Sequence, residues 1–197
     1  MVSPAPEPLA CAVVIVLAFS SAGIAHVLWL RSPRSMPFAL PLDGGRRFRG
    51  RRLLGDHKTI RGFLVLVPTT AAVFATLGAV RDALPAWLAA GVWPLTIGQL
   101  FLLGAWAAFW FMAGELPNSF LKRQWGFAPG EVPAAGPRRL LCLVLDRVDS
   151  IIAMLLALAL VVPLSALTAF FVVAIGAGVH LLFSWLLYLA QVKRRLA

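Results

Sequence analysis

Long apolar stretches alternate with short basic ones along this chain. About 20 consecutive apolar residues suffice for a helix to cross a bilayer. Five such spans are expected, at roughly 9–30, 62–80, 86–113, 150–163 and 164–190. The last two are nearly continuous, since residues 150–190 run for 41 positions without an acidic, lysine or arginine residue. That is too long for one crossing, and Pro163 with Ser165 offers a place to turn. The pattern therefore predicts an all-α, polytopic membrane protein with about five transmembrane helices. No internal repeat or soluble domain interrupts it, so residues 1–197 read as one membrane-embedded domain. Gly98, Gly104 and the alanines of the third span would permit close helix packing. Trp29, Trp87 and Trp110 fall near predicted span ends, as interfacial tryptophans do. Gln99, Thr69, Thr70 and His180 are the polar residues expected within the membrane. For Gln99 and His180, a packing hydrogen bond competes with a ligand site.

Composition agrees with this reading: 60% hydrophobic and 13% charged residues, with a mean hydropathy of +0.87, exclude an ordinary soluble domain of this length. The net charge of +10 alone would suggest nucleic acid, but its distribution points elsewhere. Nine of 18 basic residues lie in 31–61, five in 115–149 and three at 193–195, leaving Arg81 by itself. With five spans, 17 basic residues fall on one side and one on the other. The positive-inside rule then places the amino terminus outside and the carboxyl terminus in the cytoplasm. Segments 31–61 and 114–149 become the cytoplasmic functional segments. Glu7 and no basic residue precede the first apolar run, so that run reads as an uncleaved helix and not as a secretory signal. Cys11 and Cys142 fall on opposite sides of the membrane, which argues against a disulfide, and neither has metal-ligand spacing.

Three polar clusters share the cytoplasmic side. The first, "PLDGGRRFRGRRLLGDHKTIRGF", mixes Asp43 and Asp56 with cations and five glycines. Glycines let backbone N–H groups approach an anion. The bland alternative is a polybasic segment on anionic lipid, for which Arg46, Arg47, Arg49, Arg51 and Arg52 suffice. That alternative does not account for Asp56, Lys58 and Thr59. In the second, "GELPNSFLKRQWGFAPG", Glu115, Ser119 and Lys122 or Arg123 share a helix face by their spacing. They suit a phosphate–metal site or, equally, a solvated helix end with snorkelling cations. In the third, "LDRVDS", Asp146 and Asp149 stand three apart on one helix side, a pairing that suits a hard divalent cation. Helix capping by Asp149 or Ser150 is the alternative there. No Cys–His pair or G-x-S-x-G supplies a nucleophile, and His57 is the sole histidine in a polar cluster. Phosphate clamps and Mg²⁺ without a covalent intermediate suit phosphoryl or nucleotidyl transfer.

"PLDGG", "RRLLGDHKTIRGF", "GELPNSFLKRQWGFAPG" and "LDRVDS", in this order over most of the chain, resemble the CDP-archaeol synthase family. The last two are also similar to the signature of the broader phosphatidate cytidylyltransferases. The resemblance implies transfer of CMP from CTP to a membrane lipid phosphate, with Mg²⁺ as cofactor and release of pyrophosphate. It implies Lys122, Arg123, Asp146 and Asp149 as the catalytic set, the cations on phosphates and the aspartates on metal, with Glu115 as a further metal ligand. Asp43, Asp56, Lys58, Thr59, Arg61 and Ser119 complete the expected nucleotide site. The lipid phosphate oxygen would attack the α-phosphorus of CTP, leaving the protein to align and screen charge. The expected setting is a multi-pass protein of the cell inner membrane with its site facing the cytoplasm. CTP, a lipid phosphate and the bilayer are its partners, nucleic acid is not, and a homo-oligomer is compatible.

Two departures stand out. Glu115 occupies a position where the family resemblance leads one to expect aspartate. The segment after "GFAPG" lacks the Lys-Asp and Pro-Gly-His-Gly-Gly elements of bacterial diacyl enzymes, which puts the chain nearer the short archaeal-type branch. Ether and acyl lipids both remain open. A CTP-dependent lipid kinase and a non-catalytic anionic-lipid-binding protein are the competing readings.

Overall fold

The computed structural model describes the backbone of residues 4–128 and 137–189 and the side chains of residues 4–128 and 148–179. It is mostly helical. The long helices are α1 (Pro8–Arg31), α2 (Ile60–Ala79), α4 (Ile97–Gln124), α5 (Pro137–Ala159) and α6 (Ala166–Leu189), with a single turn, α3, at Ala86–Ala89. Helices α1, α2 and α4 are long and apolar enough to cross a membrane, and Val148–Ala159 and Ala166–Val179 are shorter apolar stretches of α5 and α6. Packing runs α1 on α2, α2 on α4, α4 on α5, α5 on α6 and α6 back on α1, so the five close a ring.

Helix α1 starts where it does because Pro8 has no N–H to lose and Glu7 caps the first turn, accepting from the N–H groups of Leu9 and Ala10. The end of the ring carrying Glu7 is tied by three segments. Glu7 donates its N–H to the Ala90 carbonyl at 3.0 Å, and the buried Trp93 indole donates to the Pro163 carbonyl at 3.1 Å. The expected turn at Pro163 and Ser165 is present: α5 ends at Ala159, and the Ser165 hydroxyl accepts from the Thr168 N–H at 3.0 Å to start α6.

The third span differs from expectation. It does not run from 86 to 113; α3 and an irregular stretch occupy its first part, and α4 covers Ile97–Gln124. Thr96 and Gln99 form a reciprocal capping box that starts α4, so Gln99 serves the helix terminus and is not a mid-membrane packing residue. Pro117 is carried inside α4, and Trp110 sits well within it. Helix α5 begins at Pro137 and not near 150, which puts Asp149 and Ser150 in its interior and removes the capping alternative. Cys11 is a buried free thiol. The side chains of Cys142 and His180 lie outside the described residues.

Two glycines set how closely α4 meets its neighbours. A Cβ on Gly104 would stand 2.9 Å from the Ala71 Cα and from the Thr70 carbonyl oxygen on α2. A Cβ on Gly114 would stand 2.4 Å from the Ala153 Cβ and 2.9 Å from the Asp149 carbonyl oxygen on α5. Both are closer than real atoms pack, so only glycine allows these crossings. Gly98 has open space around it.

Candidate active site

The site gathers at the end of the ring opposite Glu7, around the loop between α1 and α2. The neck of that loop is closed by backbone bonds from Leu42 N–H to the Lys58 carbonyl at 2.8 Å and from Ile60 N–H to the Leu40 carbonyl at 3.1 Å. Within it, β1 (Arg47–Phe48) and β2 (Arg51–Arg52) make a minimal hairpin, turned at Arg49 and Gly50 with φ of 51° and 77°. Positive φ at both central residues matches the right-handed twist of a two-residue hairpin.

Asp43 organises this loop. Its carboxylate, with no exposed side-chain surface, accepts from Arg52 at 2.8 and 3.3 Å and from the N–H groups of Gly45, Leu54 and Gly55 at 3.0, 3.0 and 3.2 Å. The Arg52 guanidinium, assisted by those N–H groups, holds the acid far below the usual carboxylate range despite its burial. Asp43 thus shapes the loop from inside. Asp56, exposed, pairs with Arg52 at 2.8 Å. The hairpin is fastened to the end of α4: Arg51 donates to the Gln124 carbonyl, Gln124 Nε2 donates to the Arg52 carbonyl at 3.4 Å, and the Phe48 and Phe120 rings meet at 6.1 Å. Arg51 and Arg52 therefore fasten the loop, although Arg51 is exposed together with Arg46, Arg47 and Arg49, the residues for which the sequence suggested a surface role.

Where α2 begins, Lys58 forms an ion pair with Glu115 of α4. The other Glu115 oxygen accepts from the Ser150 hydroxyl of α5 at 3.2 Å, and the same hydroxyl lies 3.3 Å from Asp149 Oδ1. Asn118, one turn beyond Glu115, donates to Asp149 Oδ2 at 2.9 Å. Gly114 makes this meeting of α4 and α5 sterically feasible. Two carboxylates from different helices thus flank one hydroxyl, which has a single proton to give. These are hard oxygen donors of the kind Mg²⁺ selects, and Asp146, one turn earlier on α5, has its side chain outside the described residues.

Two cavities adjoin here. One, of about 310 Å³, is mostly apolar; it lies among α1, α2, α4, α5 and α6, with Phe19, Met154 and Val172 in its wall and Glu115 and Ser150 also lining it. The other, of about 380 Å³, is lined by His57, Lys58, Thr59, Arg61, Gly62 and Glu115. Thr59 precedes α2 without capping it through its side chain, so the first turn of α2 keeps N–H groups that suit an anion. Arg61 Nε is buried with no hydrogen-bond partner among the described residues.

The structure therefore brings together Lys58, Thr59, Arg61 and Glu115, with Asp149 next to them through Ser150. Lys122 and Arg123 are buried on the last turn of α4, outside both cavity walls among the described residues. Ser119 is partly buried and likewise lines neither. Asn118 and His26 were missed as site residues. The signal for Asn118 was its place one turn after Glu115; for His26 there was only a polar residue in an apolar run.

Comparison with known proteins identifies the family. The family described as "CarS-like: CDP-archaeol synthase" matches residues 36–195. A CDP-archaeol synthase of Halobacterium salinarum is 40% identical over 127 residues, 62% of this chain and 61% of that protein. The one from Halorubrum lacusprofundi is 42% identical over 118 residues, 59% and 58% of the two chains. The matched region thus spans about three-fifths of these relatives' length. A solved structure described as an intramembrane enzyme for archaeal membrane lipids biosynthesis superposes with a TM-score of 0.59 at 25% identity, covering 87% of this chain and 90% of that one. With a family match across most of its length and a fold shared with that solved structure, this chain belongs to the CDP-archaeol synthase family.

Proposed function

We propose that this protein is a CTP-dependent cytidylyltransferase that converts a membrane lipid phosphate, archaetidic-type or phosphatidate, into a CDP-lipid. The observation that carries this reading is the pair of adjoining cavities meeting at Glu115, one mostly apolar and one walled by Lys58, Thr59 and Arg61. Such a pair suits a substrate with a hydrocarbon body and an anionic head beside a second polyanion. The family membership and the relatives' name support the same reading. The five long helices and the basic loops gathered at one end support five crossings with the amino terminus outside and the site facing the cytoplasm.

In the proposed reaction a lipid phosphate oxygen attacks the α-phosphorus of CTP, a new P–O bond forms, and the bond to the bridging oxygen breaks to release pyrophosphate. Lys58, Arg61 and the first-turn N–H groups of α2 hold the phosphates in line and offset their mutual repulsion. Glu115, Asp149 and Ser150, with Asp146, are the residues that would hold Mg²⁺. Bound there, the ion would neutralise charge on the phosphate oxygens. Lys58 neutralises Glu115 until substrate arrives, and a phosphate competing for Lys58 would free that carboxylate. The longer arm of glutamate lets Glu115 reach both Lys58 and Ser150.

The test is turnover by the purified protein in lipid nanodiscs with CTP, Mg²⁺ and either phosphatidate or an archaetidic-type phosphate. Pyrophosphate and a CDP-lipid identified by mass spectrometry are expected, and Asp149→Asn should abolish both while the protein still folds. No product across a broad lipid-phosphate panel sinks the reading. Release of CDP in place of pyrophosphate would make it a lipid kinase.

A further inference from the structure

The two cavities share four lining residues, His26, Leu66, Phe111 and Glu115, and His26 and Glu115 are the polar ones. Glu115 is engaged by Lys58 and Ser150. His26 makes no hydrogen bond among the described residues, although it stands at the only polar seam they form between the two spaces. It belongs to α1, which precedes the matched region 36–195, so the family match says nothing about it. Its Nε2 faces the first turn of α2, lying 3.8 Å from where a Cβ on Gly62 would be. Glu115 and Arg61 are close enough to act on it electrostatically. The His26 side chain is half-buried and borders both spaces, so a ring N–H is within reach of a ligand that enters either.

We propose that His26 is a positioning residue that donates a hydrogen bond to the phosphate of the lipid substrate at the seam between the cavities. This inference rests on the lipid-phosphate reading above. A lipid whose chain enters the apolar cavity must carry its phosphate past His26 to reach Lys58 and Arg61. The imidazole N–H would hold that phosphate at the seam, while Lys58, Thr59 and Arg61 supply the charged and hydroxyl contacts for the nucleotide in the other cavity, which His26 also borders.

The experiment measures KM for lipid phosphate and for CTP in nanodiscs for the wild type, His26→Phe and His26→Gln. His26→Phe keeps a flat ring without a donor, whereas His26→Gln keeps a donor near Nε2. The expected result is a rise of about tenfold or more in the lipid KM of His26→Phe, from loss of one hydrogen bond to a charged group. Its CTP KM should be unchanged, and His26→Gln should restore most of the lipid affinity. Equal rises in both KM values, or no rise, overturn the proposal, as does His26→Gln behaving like His26→Phe. Should His26→Phe fail to assemble, His26→Ala against His26→Gln makes the same comparison. If the wild type makes no CDP-lipid, the cytidylyltransferase reading fails on its own, and His26 is read by binding instead. Phosphatidate or an archaetidic-type phosphate, compared with the matching neutral diradylglycerol, should then raise the thermal midpoint of the wild type more than that of His26→Phe. An equal shift, or none in the wild type, overturns the proposal.

Discussion

Asp43 is the residue whose role differs most from its expectation. It was expected beside the nucleotide, and it lies beneath the loop with five hydrogen bonds to its carboxylate. Because its folded pKa is lowered from 3.8, the stability it contributes is fully present above that value and is lost as pH falls below it. Asp43→Asn should therefore destabilise the loop by on the order of 2 kcal/mol near neutrality, with the two proteins converging below about pH 4. Amide exchange protection across 41–59, followed against pH, checks this, and a constant gap between the proteins down to pH 3 would contradict it. Sequence could show Asp43 among cations and glycines, but not that its partners are backbone N–H groups. Glu115 and Ser150 posed the same difficulty, since they meet across 35 residues by a helix crossing that no local spacing encodes. Helical spacing reached Glu115 and Asp149, and the cluster around Asp56 reached Lys58, but both stopped short of their contacts.

Among the elements, hydropathy located the helices better than their ends. It put the α5–α6 turn near Pro163 correctly and misplaced the start of α4 by about a dozen residues. Residues 86–96 are as apolar as the first turns of α4, and the signal for the true start was the Thr96–Gln99 capping box, a polar pair easily mistaken for buried packing. Gly104 was legible as a packing glycine, and the α2–α4 crossing uses it so. Replacing it with alanine should separate these helices at a cost of about 1–3 kcal/mol, because the obstructing atoms belong to backbone that cannot rotate away. A lowered thermal midpoint in nanodiscs, with both KM values unchanged in the folded fraction, is expected; an unchanged midpoint would mean that α2 and α4 can part without loss.

For the whole molecule, the arrangement of charge was the most informative sequence feature, because it reflects a property of the bilayer and not of any contact. Single cysteines replacing Arg81 and Arg47 should label from opposite sides of sealed vesicles, the latter only after the cytoplasmic face is opened. Labelling from the same side would reject the five-crossing arrangement. The expected position relative to lipid comes from charge alone, whereas the ring closed by α6 on α1 depends on pairings between distant segments. The loop from 41 to 59 differs in this respect. Every bond that closes its neck or reaches Asp43 joins residues between 40 and 60, so the entropic cost of closure is small. During synthesis this half of the site can take shape at the ribosome before α4 exists, and Glu115 and Gln124 then arrive as late additions to a template already standing at the membrane surface.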